Sequence, residues 1–499
     1  MAIFDLNRVT PPPSQTYEIC IAGGGVAGIT LATDLASRGR RVLLLEAGGL
    51  DFTEESQEVY RGEIVGRSYF PLTEARLRFL GGSSNHWGGM CRPLDVHDFE
   101  RHDHIPFSGW PLTRSALDPY LDHACALLDI SPVFQDIELP GSESELALAD
   151  FHFSRPPARF GDMFLNELQT SGHIDVFLNA NLVNVVLNEL NGNVAAFQCA
   201  NYTDSSALHS FTARRFVLAL GGIENPRILL NSRSQMLKGI GNRHDLVGRF
   251  FMEHPHVLGG ILVTNGAAWR LGPAIFAPTG KLMHDRRIAN AGVRIWPSPD
   301  ASETSLMGEI KHGAKRLVCG NDAVAEFVRY FREFHCPSHY DLGIEIHVAS
   351  EQVPNPDSRV LMSDEVDRFG LRRGALDWQI TALDRRTISE MLIALGSYLA
   401  RYELGNIKLV DWLLDETQPV PGVGEDDWLG GGWHHMGTTR MAASAEQGVV
   451  DRDCRVFGLD NLYIAGSSVF PTGGHANPTL TIVQLALRLS DHLDRALGA

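Results

Sequence analysis

The sequence predicts an α/β fold, in which a Rossmann-like dinucleotide-binding domain is joined to a second, α+β domain built on an antiparallel sheet. Three observations carry this. A β-branched, apolar run at 19–22 passes through Gly23, Gly25 and Gly28 into an apolar-periodic helix and returns as a second strand at 42–45. The segment 176–216 alternates with period two around Asn191-Gly192, which signals a hairpin. From about 251 to 429, strand-like runs mix with long helical runs, the texture of an antiparallel sheet with helices to one side.

Composition sets the limits. With 499 residues, 44% apolar and 21% charged, the chain has room for two closely packed domains. Sixty acidic against 43 basic residues give a net charge of −17, which disfavours nucleic acid and anionic membranes as partners and points to a neutral or cationic substrate. The seven cysteines are scattered and never in a C-x-x-C arrangement, so they read as reduced core residues without a disulfide framework, zinc or iron-sulfur site. No stretch approaches 18 uninterrupted apolar residues, and the N-terminus lacks a basic start before an apolar run. A cytoplasmic protein without membrane insertion is expected.

Each element of the opening unit has a physical job. Gly23 permits the tight turn, Gly25 lets the backbone approach a pyrophosphate, and Gly28 lets helix and strand pack closely; Val26 begins the helix, whose N-terminus offers free amides to phosphates. Glu46, 18 positions after Gly28, is placed to accept hydrogen bonds from a ribose diol. An acid there disfavours a 2′-phosphate and suits NAD or FAD alike. A fingerprint starting at residue 23 leaves no catalytic domain before it, and this favours a flavoprotein layout.

After a polar, aperiodic stretch comes Leu77-Arg-Phe-Leu-Gly-Gly-Ser-Ser-Asn-His-Trp-Gly-Gly-Met-Cys-Arg-Pro-Leu94. So many glycines and small polar residues mean backbone that must approach something closely. The stretch resembles the flavin-covering motif of the glucose-methanol-choline (GMC) oxidoreductases, G-G-[ST]-[ST]-x-x-x-G, with Gly81, Gly82, Ser83, Ser84 and then Arg92-Pro93 in register. The resemblance implies FAD contacts for Gly82, Ser83, Asn85 and Gly88. His86 sits where sugar- and choline-oxidising relatives carry a histidine bonded covalently to the flavin; a covalent bond and non-covalent stacking both remain open. Phe216-Val-Leu-Ala-Leu-Gly-Gly222 and the following Ile223-Glu-Asn-Pro-Arg-Ile-Leu-Leu230 continue the likeness, which implies Gly221 near the FAD and Val183 near the adenine.

The chain between these motifs and the C-terminus is harder to read. A helix is expected over 115–128 with Thr113 as its N-cap, and an irregular excursion extends over about 50–170. In the second half, strands are expected at 257–263, 344–349, 359–362 and 377–382, and helices at 323–333 and 386–404. Glu351, Gln352 and Asn355 follow a strand, where they either face a polar substrate or form a charged turn; Gln352 is carried as a candidate substrate contact. His254 and His256 lack a third ligand at suitable spacing, so no metal site is expected. The resulting division is 1–250 with 430–499 for FAD and 251–429 for substrate.

The chemistry lies near the C-terminus. Gly432-Trp-His-His-Met-Gly-Thr-Thr-Arg-Met441 and the run from Asn461 to Thr481 resemble the C-terminal GMC pattern over its length. There Gly466 and Ser467 turn at the flavin, and a helix from Thr479 points its N-terminus, after Asn477 and Pro478, at the flavin pyrimidine ring. By resemblance His434 takes the place of the catalytic base and Asn477 that of its His-or-Asn partner, with the neighbouring His435 and His475 as candidate substrate contacts. The closing pattern is most similar to sugar oxidoreductases of the family, which also place Asn in the partner position. The implied reaction is oxidation of a secondary hydroxyl of a sugar or glycoside, by proton abstraction and hydride transfer to flavin N5, with oxygen or another acceptor taking the electrons. The alternative is a non-sugar alcohol, whether aliphatic, aromatic or sterol.

Overall fold

The computed structural model describes residues 3–11, 16–190, 192–263, 274–295, 344–422 and 430–498. Its first sheet is organised around the glycine turn. Along the chain come β1 (Ile3–Asp5), β2 (Thr16–Ala22), α1 (Val26–Ser37), β3 (Val42–Leu45), β4 (Ile174–Leu178), β5 (Asn181–Leu187), β6 (Val194–Ala200), β7 (His209–Leu218) and α2 (Gly221–Asn231). The spatial order is β1-β4-β3-β2-β7-β6-β5. The junctions from β1 across to β7 are parallel, and β7-β6-β5 is an antiparallel meander. Parallel strands covered on both faces read as continuous apolar runs, and Val42, Leu43, Leu44 and Leu45 are all buried.

The second sheet is antiparallel throughout. It contains β8 (His256–Val263), β9 (Ala274–Pro278), β10 (Ala291–Ile295), β11 (Ile344–Ser350) and, after helix α3 (Ala382–Arg401), β12 (Asn406–Leu409). The order is β12-β8-β11-β10-β9, completed by the short strands Leu146–Leu148 and Ile137–Glu138, which come from the stretch expected to be an irregular excursion. One face buries Val257, Val293, Ile346 and Val348 against Ile388, Met391, Leu392 and Leu395 of α3. Each such side chain contributes about 1.5–3 kcal/mol on burial. From the second sheet, His256 at the start of β8 reaches the candidate site.

The chain then returns to the first sheet. β13 (Leu462–Ile464) pairs in parallel with Phe216–Leu218 of β7, and α4 (Thr479–Gly498) packs beside α1. A smaller sheet, Glu63–Ile64 with Arg359–Val366 and Arg372–Asp377, bridges the two halves. No helix among the described residues is long and apolar enough to cross a membrane.

Several local expectations need correction. The helix expected over 115–128 is two 3-10 turns, Arg114–Ala116 and Asp118–Tyr120, followed by a short α-helix Leu121–Leu127; Pro119 lacks an amide hydrogen and interrupts the ladder. The strand expected at 377–382 ends at Asp377, because Thr381 and Asp384 form a capping box that starts α3 at Ala382. The helix expected at 323–333 lies outside the described residues.

Candidate active site

A cavity of about 440 Å³ opens where the glycine turn, the 77–88 loop, the start of α2, the 432–435 loop and the start of α4 meet. Gly23 holds φ at +113°, and a β-carbon there would lie 2.3 Å from the Ala219 carbonyl oxygen, so the turn tolerates only glycine. A β-carbon on Gly28 would approach the Gly23 oxygen to 1.8 Å; Gly28 seats α1 on β2 and does not line the cavity. Gly25, Gly221 and Gly466 also face the cavity, and a β-carbon on any of them would meet nothing within 4 Å. Open glycine backbone at two helix starts and one strand end is a cradle suited to a pyrophosphate and a planar ring. Glu46 lines the same cavity, its Oε2 accepting from Gly24 N and its Oε1 from Gly48 N, each at 2.8 Å, which fixes the carboxylate at the end of β3.

Of the remaining expected contacts, Val26, Gly82, Ser83, His86, Gly88, Ser467, Asn477, Pro478 and Thr479 line the cavity. Two do not. Asn85 turns its amide back to donate to the Leu80 carbonyl at 2.9 Å, bracing the left-handed turn at Gly81. Val183 lies beyond the lining stretch 180–182 and is buried. The His86 ring stacks on Trp433 at 4.9 Å and 24°, and burial, helped by Arg159, pushes its pKa down to about 4.

The reacting wall is built on one buried carboxylate. Oε1 of Glu253 accepts the backbone amides of His254 (2.8 Å), Gly432 (3.1 Å) and His434 (2.8 Å), while Oε2 accepts the Tyr69 hydroxyl. The 432–434 loop is thereby pinned to a residue about 180 positions earlier. His434 Nδ1 lies 2.8 Å from His254 Nδ1, and His434 Nε2 lies 3.4 Å from Asn477 Nδ2. Burial, then the neighbouring His254, His256 and Arg294, hold the His434 pKa well below the usual imidazole value. The ring is therefore neutral and keeps a bare nitrogen. Asn477 Oδ1 is buried without a hydrogen-bond partner.

The three expected substrate contacts fare differently. His435 lines the cavity, with Nε2 2.9 Å from the Tyr69 hydroxyl. Gln352 does not: its Oε1 accepts from Glu253 N (2.9 Å) and Trp378 Nε1 (2.8 Å) and its Nε2 donates to the Gln379 carbonyl (2.9 Å), so the side chain is a buried structural knot. Glu351 is likewise internal, holding Asn290 N and Gly474 N. His475 is turned away from the cavity lining, edge-on to Phe151, with Nε2 3.6 Å from Asp95 Oδ2.

Tyr69, Glu253 and His254 escaped the sequence reading; Glu253 and His254 stand together in Met252-Glu-His-Pro-His256, read there for metal alone, and Tyr69 carries no local signal. Among the described residues one group, Asp95, His97 and Asp98, has metal-like proximity, but the Asn290 amide nitrogen sits between the three at 3.1, 3.0 and 2.9 Å.

A parallel sheet of the dinucleotide-binding kind, a glycine cradle and a neutral histidine facing an amide are together suited to a flavin-dependent oxidoreductase. Residues 354–486 match the family model for the GMC oxidoreductases. The chain is 25% identical over 567 aligned positions to 2-methyl-1,2-propanediol dehydrogenase of Mycolicibacterium austroafricanum, covering 98% of this chain and 96% of that one. It is 31% identical over 140 positions to C-glycoside 3-oxidase of Microbacterium trichothecenolyticum, covering 27% and 24%. Its fold resembles that of pyridoxine 4-oxidase from Mesorbium loti, with a TM-score of 0.57 and 15% identity over 96% of this chain and 99% of the other. The chain thus carries a GMC oxidoreductase C-terminal domain over 354–486 and is an oxidoreductase acting on alcohol groups, as its relatives along the chain are.

Proposed function

We propose that this protein oxidises a secondary hydroxyl of a sugar or glycoside to a ketone, with His434 as base and Asn477 holding the reacting oxygen. The observation that carries the reading is the convergence of His434 Nε2 and Asn477 Nδ2, 3.4 Å apart at the cavity wall. One alcohol oxygen placed between them donates its proton to the imidazole and accepts from the amide, which holds the developing alkoxide. The FAD, when bound, supplies the hydride acceptor at flavin N5 and passes the electrons to oxygen or another acceptor. The cradle residues that suit it are Gly23, Gly25 and Val26 for the pyrophosphate, Glu46 for the ribose, and Gly82, Ser83, Gly466 and Thr479 towards the flavin. Among the described residues five cysteines are free and buried, which supports a cytoplasmic setting.

Anaerobic stopped-flow reduction of the flavin by glycosides tests the base. His434→Ala is expected to slow reduction by about 10²- to 10⁴-fold with FAD retained. Because the His434 pKa is depressed, the wild-type rate stays flat as pH falls through about 6.5. A variant reduced at the wild-type rate removes the assignment. The likeness to 2-methyl-1,2-propanediol dehydrogenase along nearly the whole chain favours a second reading, a small non-sugar alcohol, and reduction by that diol but by no glycoside decides for it.

His86 faces the cavity as a neutral ring, which suits a covalent bond to the flavin. Acid precipitation then leaves yellow colour on the wild-type protein, and His86→Ala releases it. Complete release from the wild type makes the contact non-covalent.

A further inference from the structure

We propose that Trp433 is a stacking platform for the substrate's ring, so that the alcohol presented to His434 is carried on a pyranose whose apolar C–H face lies against the indole. The proposal rests on the alcohol-oxidising reading of the His434 wall and deepens it by naming the shape that is recognised. Among the described residues Trp433 is the one large apolar side chain that lines the cavity and is still 39% exposed. The glycine cradle and Glu46 serve the polar parts of a dinucleotide, and an open indole adds nothing to them. Apolar surface left open inside a concave site, beside a few placed polar groups, is the wall expected of a small-molecule pocket.

The backbone is bent to put the indole there. Trp433 holds φ at +59°, in the left-handed region that a bulky side chain rarely enters. The bend persists because Glu253 Oε1 accepts the amides on both sides of it, Gly432 N at 3.1 Å and His434 N at 2.8 Å. One carboxylate therefore fixes the indole and the imidazole of the base as neighbours on a pinned loop. The indole is also braced: the His86 ring stacks on it at 4.9 Å and 24°, and Phe70 meets it at 5.6 Å and 83°. A ring settled on a braced platform one residue from the base has its hydroxyls held at a set distance from His434 Nε2, which is the positioning that proton transfer needs. A pyranose with equatorial hydroxyls turns its axial C–H bonds to its two faces, and their slight positive charge is attracted by the electron-rich face of an indole. A small open-chain alcohol has no such face.

Calorimetry on the dithionite-reduced holoenzyme, which binds sugar without turning it over, tests the platform. Methyl β-glucoside is expected to bind Trp433→Ala about three- to tenfold more weakly than wild type, the worth of one aromatic stack, while the affinity for 2-methyl-1,2-propanediol moves by less than about twofold. Trp433→Phe keeps most of the glucoside affinity. A wild type that does not bind the glucoside overturns the proposal without any variant. Unchanged glucoside affinity in Trp433→Ala also overturns it, as does a loss shared equally by the diol, which marks a general disturbance of the loop. A loss confined to phenyl β-glucoside gives the indole to an aglycone and overturns it too. Reduction of the oxidised wild-type flavin by no glycoside sinks the sugar reading itself; reduction by glycosides with an unmoved affinity in Trp433→Ala sinks the platform alone.

Discussion

In its proposed role as base, His434 accepts a proton only in the tautomer whose Nε2 is bare, and its surroundings select that tautomer. With the Asn477 amide nitrogen towards Nε2, the ring hydrogen belongs on Nδ1, where His254 Nδ1 accepts it at 2.8 Å. His254 in turn carries its hydrogen on Nε2, which is buried beside Gly473 without a hydrogen-bond partner. His254→Ala releases His434 Nδ1, lets the wrong tautomer compete and is expected to slow flavin reduction by about tenfold, well short of the 10²- to 10⁴-fold loss of the base itself. His254→Asn, which returns an acceptor, recovers part of the rate; a fully active His254→Ala enzyme rejects the role. The positions of His434 and Asn477 were legible because each lies in a dense local motif. His254 was not, since 180 positions separate the two rings and no spacing rule connects them. Asn85, Gln352 and His475 were misjudged for a related reason: sequence gives a polar side chain a place in a loop, while tertiary partners decide which way it points.

Elements were legible where their signals are local. The strand-turn-helix-strand unit through Glu46 and the hairpin of β5 and β6 follow from residues within reach of each other along the chain. The failures are also local, but they turn on competition. At 377–382 the β-propensity of Trp378 and Ile380 is overruled by the Thr381–Asp384 capping box, in which each partner satisfies the other's backbone amide. At 115–128 the apolar periodicity is real, and the missing amide of Pro119 still splits it. The alternation of β10 shows one strand facing two ways: Ala291, Val293 and Ile295 hold α3, while Gly292 and Arg294 lie on the opposite face. A slip of one residue exchanges the two sets, so the apolar anchor also fixes where the cation stands.

At the scale of the molecule, a buried ion network ties the cofactor loop to the sheet that bridges the two halves. Arg76 meets Glu224 at 2.8 Å, Arg227 meets Glu224 at 2.9 Å, and Arg227 meets Asp367 at 2.9 Å, all four residues at most 8% exposed. Burial acts to raise the Glu224 pKa, but Arg227 and Arg76 outweigh it and hold the group at about 2, against 4.5 for a free carboxyl. A depressed carboxylate stabilises the fold above its unfolded value, so about 3 kcal/mol is present at neutral pH and is lost as pH falls from about 4.5 towards 2. Glu224→Gln leaves two guanidinium groups short of a partner and is expected to cost about 3–5 kcal/mol at pH 7. Unfolding curves at pH 7 and pH 3 check this: the gap between variant and wild type narrows in acid, and a gap that stays constant rejects the network as its source. Another long-range tie, β13 lying in parallel on the end of β7, sets an order of events during synthesis. Until about residue 464 has left the ribosome, Phe216–Leu218 presents an open apolar edge, and Gly466 to Thr479, one wall of the cavity, does not exist. The nascent chain therefore cannot enclose a dinucleotide until the segment through residue 479 has been made, long after the glycine turn that begins the cradle.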